Sequence, residues 1–203
     1  MQLRKQYIIL FLAIISGLTS CVPEGAKGEE KKPLPIINKV ELPAFTFVNQ
    51  DSQNVSEQDV LGKIHVMDFF FTSCPTICPT MKANMLTVYE EFEKEDRLVL
   101  VSHSIDTRHD SVPVLKEYAE RLEVSAPRWN FVTGEKDSIM GMAKDYMVAA
   151  YEDSTEVGGY AHSGAMILFD RKRNIRGYYD GTSEKETKWL IRDIARLLDE
   201  QED

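Results

Sequence analysis

The sequence predicts an α/β domain with a mixed central sheet, helices on both faces and an N-terminal β-hairpin. Three observations carry this. From Ile64 to Met147, short runs of branched and aromatic residues alternate with stretches of helical apolar spacing. The run Ile64 to Phe71 is apolar except at His65 and Asp68, and is short enough for a buried strand. Late in the chain, two apolar runs are joined only by the polar turn at residues 170–174, which reads as an antiparallel pair.

In order, Ala44 to Val48 and Gln53 to Ser56 flank the turn cluster Asn49-Gln50-Asp51-Ser52, giving the leading hairpin. Ile64 to Phe71 follows as the central strand. Pro79 is tolerated only in a first helical turn, so the next helix starts within residues 76–79, with Cys78 in its first turn and Cys74 just before it. Met81, Met85, Val88 or Tyr89, and Phe92 share one face of that helix. Arg97 to Ile105 is a second buried strand. Asp110 and Ser111 can cap a helix that buries Leu115, Tyr118 and Leu122. Trp129 to Val132 is a short strand, and Ile139, Met142, Ala143 and Tyr146 mark a helix. Residues 148–159 read as an irregular acidic loop leading to His162. Ala165 to Phe169 and Ile175 to Tyr179 form the late hairpin. Ser183 with Glu186 is a capping box for a last helix that buries Leu190, Ile194, Leu197 and Leu198.

The N-terminal stretch has a different character. Arg4 and Lys5 precede the apolar run Tyr7 to Ile15 and the small residues before Cys21, the pattern of an export signal. The apolar run is shorter than the about 20 residues of a membrane span. Leu18-Thr19-Ser20-Cys21 resembles a bacterial lipobox, which assigns residues 1–20 to a lipoprotein signal peptide and Cys21 to lipidation. Residues 21–40, rich in proline, glycine and charge, read as a flexible lipid-anchored tether, and residues 41–203 as one folded domain. The expected location is the extracytoplasmic (periplasmic) side of a membrane. The 203 residues carry a net charge of −9, which becomes −11 once Arg4 and Lys5 leave with the signal. With no basic cluster, nucleic acid is excluded as a partner.

The chemistry centres on Cys74 and Cys78, spaced C-x3-C and each followed by proline. They lie where a strand hands over to a helix, the usual place for a site in an open α/β sheet. The helix dipole at Cys78 favours thiolate. A structural zinc site needs a fourth ligand, and the sequence has no second cysteine pair. Two readings stay open: a redox dithiol and a soft-metal site, for which thiolate with imidazole selects copper or zinc. Of four histidines, His65 and His103 fall in strands and read as satisfied core residues, and His109 as solvated. His162, in a glycine-flanked loop before a strand, is the candidate third ligand. Met81 reads as core filling rather than a further ligand. Asp68, a carboxylate in a buried strand, requires a partner that the sequence does not name.

The segment Phe71-Thr72-Ser73-Cys74-Pro75-Thr76-Ile77-Cys78-Pro79 resembles the signature of the Sco/SenC family of copper-handling proteins, within the thioredoxin superfamily. Ser104-Ile105-Asp106 before Leu115-Lys116-Glu117-Tyr118, and Ala161-His162-Ser163, resemble two further family blocks in the same order. The resemblance implies a thioredoxin-like fold and one copper ion, Cu(I) or Cu(II), held by Cys74, Cys78 and His162. It also implies a metallochaperone that delivers copper to the CuA site on a subunit of a respiratory cytochrome c oxidase, with a periplasmic thiol–disulfide reductant as a second partner. Two other roles fit the same residues: a thiol–disulfide oxidoreductase that reduces the oxidase cysteines through Cys74 and Cys78, and a redox or copper sensor. A peroxidase would need an arginine beside a reactive cysteine, and none is evident. The chain departs from the family pattern at Thr76, where aspartate is usual, and at Asp106-Thr107-Arg108-His109-Asp110, where Asp-Pro-Glu-Arg-Asp is usual.

Overall fold

The computed structural model describes residues 33–37 and 43–200. The signal peptide, Cys21 and most of the tether expected from the sequence lie outside the described residues. The elements are β1 (Thr46–Asn49), β2 (Asn54–Ser56), α1 (Glu57–Val60), β3 (Ile64–Phe70), α2 (Cys78–Glu91), β4 (Leu98–Ser104), α3 (Val112–Arg121) and β5 (Trp129–Thr133). They continue with α4 (Lys136–Asp145), β6 (Ala150–Glu152), β7 (Tyr160–His162), β8 (Ala165–Phe169), β9 (Ile175–Asp180) and α5 (Glu184–Asp199). No helix among them is long and apolar enough to cross a membrane.

Seven strands form one sheet in the order β2-β1-β5-β4-β3-β8-β9. The centre, β5-β4-β3, is parallel, and antiparallel pairs close both edges. Every residue of β3 and β4 is buried, as expected for strands covered on both faces. On one face Phe70, Trp129 and Phe131 pack against Tyr118 of α3 and Tyr89 of α2. On the other, Phe169 meets His65 and Tyr146, the residue that ends α4. The thioredoxin-like layering expected from the sequence is therefore present.

Several local expectations need correction. Residues 33–37, assigned to the flexible tether, dock instead on the domain. Leu34 is buried; its N–H donates to Glu200 Oε1, its carbonyl accepts from Arg176, and the Ile37 N–H donates to the Ile175 carbonyl. Asp110 does not cap α3, whose first residue follows Ser111 without a side-chain cap bond; it has turned inward to the loop before Cys74. The expected capping box at α5 is half made. Ser183 accepts from the Glu186 N–H, but the Glu186 carboxylate accepts from the Asp180 N–H. The loop at residues 148–159 contains a strand: β6 pairs with β7 in a separate two-stranded ribbon.

Candidate metal centre

The backbone of β3 ends at Phe70, and the chain turns over Phe71 to Cys74, whose N–H donates to the Phe71 carbonyl at 3.2 Å. Asp110 pins this turn from the loop after the neighbouring strand β4. Its carboxylate accepts from the Thr72 N–H (2.9 Å), the Thr72 hydroxyl (2.5 Å) and the Ser104 hydroxyl (2.6 Å). Pro79, in the first turn of α2, sets the helix start at Cys78. The two sulfurs thus leave the sheet on a short, pinned segment, and both thiols are free and buried.

His162 arrives from the β6–β7 ribbon rather than from a loop. Its Nε2 lies 3.2 Å from Cys78 Sγ. The ligand atoms of Cys74, Cys78 and His162 all lie within 4.8 Å of one another. Among the described residues this is the one cluster of its kind. Phe71 braces the ribbon: its ring lies tilted against Tyr160, with centroids 5.4 Å apart, and edge-on to His162 at 6.0 Å. Tyr160 donates to Asp106 (3.0 Å), which also holds His109 Nδ1 at 2.6 Å. Gly158, at φ +94°, lies so close to the Phe71 ring that a Cβ there would sit 2.7 Å from it.

The electrostatics correct one expectation. Burial pushes the Cys78 thiol well above its ordinary pKa, outweighing the helix terminus. Cys74 carries the acidified thiol. Burial opposes its thiolate, but donors from the Cys78 N–H, the Thr76 hydroxyl, the Cys78 thiol and the Thr76 N–H outweigh it. Burial lowers His162 to about 4, so its imidazole is neutral at pH 7 and has a lone pair to offer. One neutral imidazole and two sulfurs form a soft, three-donor set with no fourth His, Cys, Asp or Glu in the cluster among the described residues, suited to copper rather than to closed tetrahedral zinc.

The other histidines stay out of the site. His65 stacks on Phe169 and His103 sits among Phe45, Phe47 and Phe69. They are less satisfied than expected: His65 Nδ1 faces the Lys63 carbonyl at 3.2 Å, but its Nε2 and both nitrogens of His103 have no hydrogen-bond partner. Met81 is fully buried as core. Sequence reasoning missed Asp110, Tyr160 and Lys82. Lys82 is the partner that Asp68 required, with Nζ 2.5 Å from Asp68 Oδ2. No local signal marked Lys82, because only tertiary packing buries it.

Comparison with known proteins agrees with this geometry. The SCO1/SenC family model matches residues 37–199. The SCO1 protein homolog of Bacillus subtilis is 38% identical over 135 residues, covering 63% of this chain and 67% of the relative. The crystal structure of a SCO1/SenC family lipoprotein from Bacillus anthracis is similar at 30% identity and a TM-score of 0.72, over 83% of this chain and 98% of that one. BsSco, described as having a disulfide switch and as a member of the Sco family of cytochrome c oxidase assembly proteins, is similar at 28% identity and a TM-score of 0.69, over 82% of this chain and 96% of that one. With the cysteine pair, the histidine ribbon and the sheet all in place, the chain belongs to the SCO1/SenC family.

Proposed function

We propose that this protein is a copper metallochaperone. It binds one copper ion through Cys74, Cys78 and His162 and passes it to the CuA site of a respiratory cytochrome c oxidase. A lipid on Cys21 holds it to the membrane, with the domain on the extracytoplasmic side. The observation that carries the reading is the meeting of three soft donors within 4.8 Å, two from the β3–α2 junction and one from a ribbon 84 residues away. Binding requires both thiols as thiolates, so capture releases their protons and weakens as pH falls. The neutral His162 gives its Nε2 without prior loss of a proton. Transfer to an oxidase fits a three-donor set with no fourth His, Cys, Asp or Glu in the cluster among the described residues. Oxidation of the two thiols by another protein's disulfide would form a Cys74–Cys78 bond, leave that disulfide as two thiols, and remove both sulfur ligands together.

The split between the thiols supports a second reading. An acidified Cys74 beside a high-pKa Cys78 is the pattern of an attacking thiol and a resolving one, which suits a thiol–disulfide oxidoreductase acting on the oxidase cysteines. Copper titration of the reduced full chain in detergent separates the two. A carrier takes up one copper per chain and shows a thiolate-to-Cu(II) charge-transfer band. His162→Ala then weakens Cu(II) binding by more than about a hundredfold, beyond the losses of outer-shell changes. Equal affinity in the variant removes the three-ligand site. Disulfide reduction that persists undiminished in His162→Ala with a copper chelator present favours the oxidoreductase.

A further inference from the structure

The loop between β4 and α3 grips both halves of the metal centre. It carries two acids, and each holds a residue close before a ligand. Asp110 holds Thr72, two residues before Cys74. Asp106 holds Tyr160, two residues before His162, by accepting from its hydroxyl at 3.0 Å. The loop is itself fixed. The Asp106 N–H donates to the Ser104 hydroxyl at 3.2 Å, and the Asp106 carbonyl accepts from the Asp110 N–H at 2.9 Å. Asp106 is 3% exposed and Tyr160 8%, so their bond is made where water competes little for either group.

His162 has need of such support. A metal-binding imidazole ordinarily donates its other N–H to a carboxylate or carbonyl, which fixes the ring and its tautomer. The Nδ1 of His162 is buried and has no hydrogen-bond partner among the described residues. The ring is therefore oriented by β7 and by packing. β7 pairs with β6 alone, outside the main sheet. A second tie of the ribbon, Glu152 to Lys136, lies at the surface, where an ion pair contributes little. Residues i and i+2 of a strand point to the same face, so Tyr160 and His162 present their side chains together. The Phe71 ring meets both. With its ring on Phe71 and its hydroxyl on Asp106, Tyr160 fixes that face of β7 at two points. We infer that Tyr160, tied to Asp106, is the positioning residue that seats His162 Nε2 beside the cysteine pair. The inference rests on the three-ligand reading of the site. Tyr160 supplies placement rather than a donor to copper, because its hydroxyl proton is committed to Asp106.

The test uses the reduced full chain in detergent and Tyr160→Phe, which removes the hydroxyl and keeps the ring on Phe71. Without copper, amide hydrogen exchange across β6 and β7 is expected to accelerate about tenfold, while β3 and β4 keep their protection. With Cu(II), affinity falls about tenfold, the lower end for groups behind the ligands, and nitrogen coupling in the electron paramagnetic resonance spectrum weakens. Asp106→Ala gives at least the same losses. Tyr160→Phe/Asp106→Ala loses no more than Asp106→Ala alone, because the two act through one bond. Asp106→Asn, with an oxygen left to accept from Tyr160, retains more affinity than Asp106→Ala. His109→Ala, which frees only the other carboxylate oxygen, leaves Cu(II) affinity close to the parent's. Parent-like Cu(II) affinity in Tyr160→Phe, an equal fall in His109→Ala, or losses that add in the double variant overturn the inference and leave Tyr160 a packing role. Unchanged Cu(II) affinity in His162→Ala would instead strike the three-ligand reading, while exchange in the copper-free protein still reports the hold on the ribbon.

Discussion

Asp110 shows how much one side chain can organise. Its two oxygens take three donors, from Thr72 and Ser104, and so hold the turn that presents Cys74. Asp110→Ala leaves the Thr72 N–H and two hydroxyls without an acceptor and is expected to cost about 2–4 kcal/mol in urea unfolding. Alkylation of Cys74 should accelerate in the same variant, because its turn is no longer pinned. A loss under about 0.5 kcal/mol with unchanged alkylation would deny it this role. At this scale two prolines marked Cys74 and Cys78 openly, whereas His162 was only a candidate from its residues and became the third ligand through the family resemblance. Asp110 was hidden, since an acid before a helix reads as a cap. Asp68 advertised a missing partner, but Lys82 looked like any charged residue on a helix surface, and only tertiary packing turns it inward.

The element that sequence periodicity could not reveal is the β6–β7 ribbon. Residues 148–159 are acidic and lack apolar alternation, because β6 is largely exposed and pairs only with β7. The larger strands and helices were legible because burial on both faces of β3 and β4, and on one face of each long helix, writes itself as period and composition. Gly158 is one of the points at which the ribbon meets the body. Gly158→Ala combines a left-handed backbone at φ +94° with a Cβ 2.7 Å from the Phe71 ring. The expected local cost is about 1–3 kcal/mol, seen as lower copper affinity with little change in the global unfolding midpoint. Gly159→Ala is the control: its φ is also positive, at +80°, but a Cβ there meets nothing within 4 Å. It should therefore disturb binding less. Equal effects from the two would show that contact with Phe71 does not matter.

Across the whole molecule, acid sensitivity follows from histidines buried in their neutral form. Burial depresses His65 to about 3 and His103 to about 4, the latter despite partial support from Asp68, whose backbone is not in hydrogen-bond geometry with the ring. Both bind a proton near 6.5 once unfolded. Between those values the unfolded chain holds more protons, so stability is complete above about pH 6.5 and declines as pH falls toward 4. Each such group adds a slope of about 1.4 kcal/mol per pH unit in that window. Replacement of His103 by Phe, beside Phe45, Phe47 and Phe69, should flatten the urea-stability profile by about that amount. An identical slope in the variant would mean that His103 is already charged in the native protein. The sheet order of the whole fold lay beyond single-sequence reasoning, because which edge receives the late hairpin is decided by long-range pairing of β8 with β3.

The ribbon that brings His162 shares no ladder with the seven-stranded sheet. Two of the three donors are therefore rooted in the foundation, and the third is mounted on an appendage. Natural variation, or an engineer, can rewrite that appendage without renegotiating the core, which makes it the cheapest address at which to alter grip, cargo choice or release while the cysteines stay where the scaffold puts them.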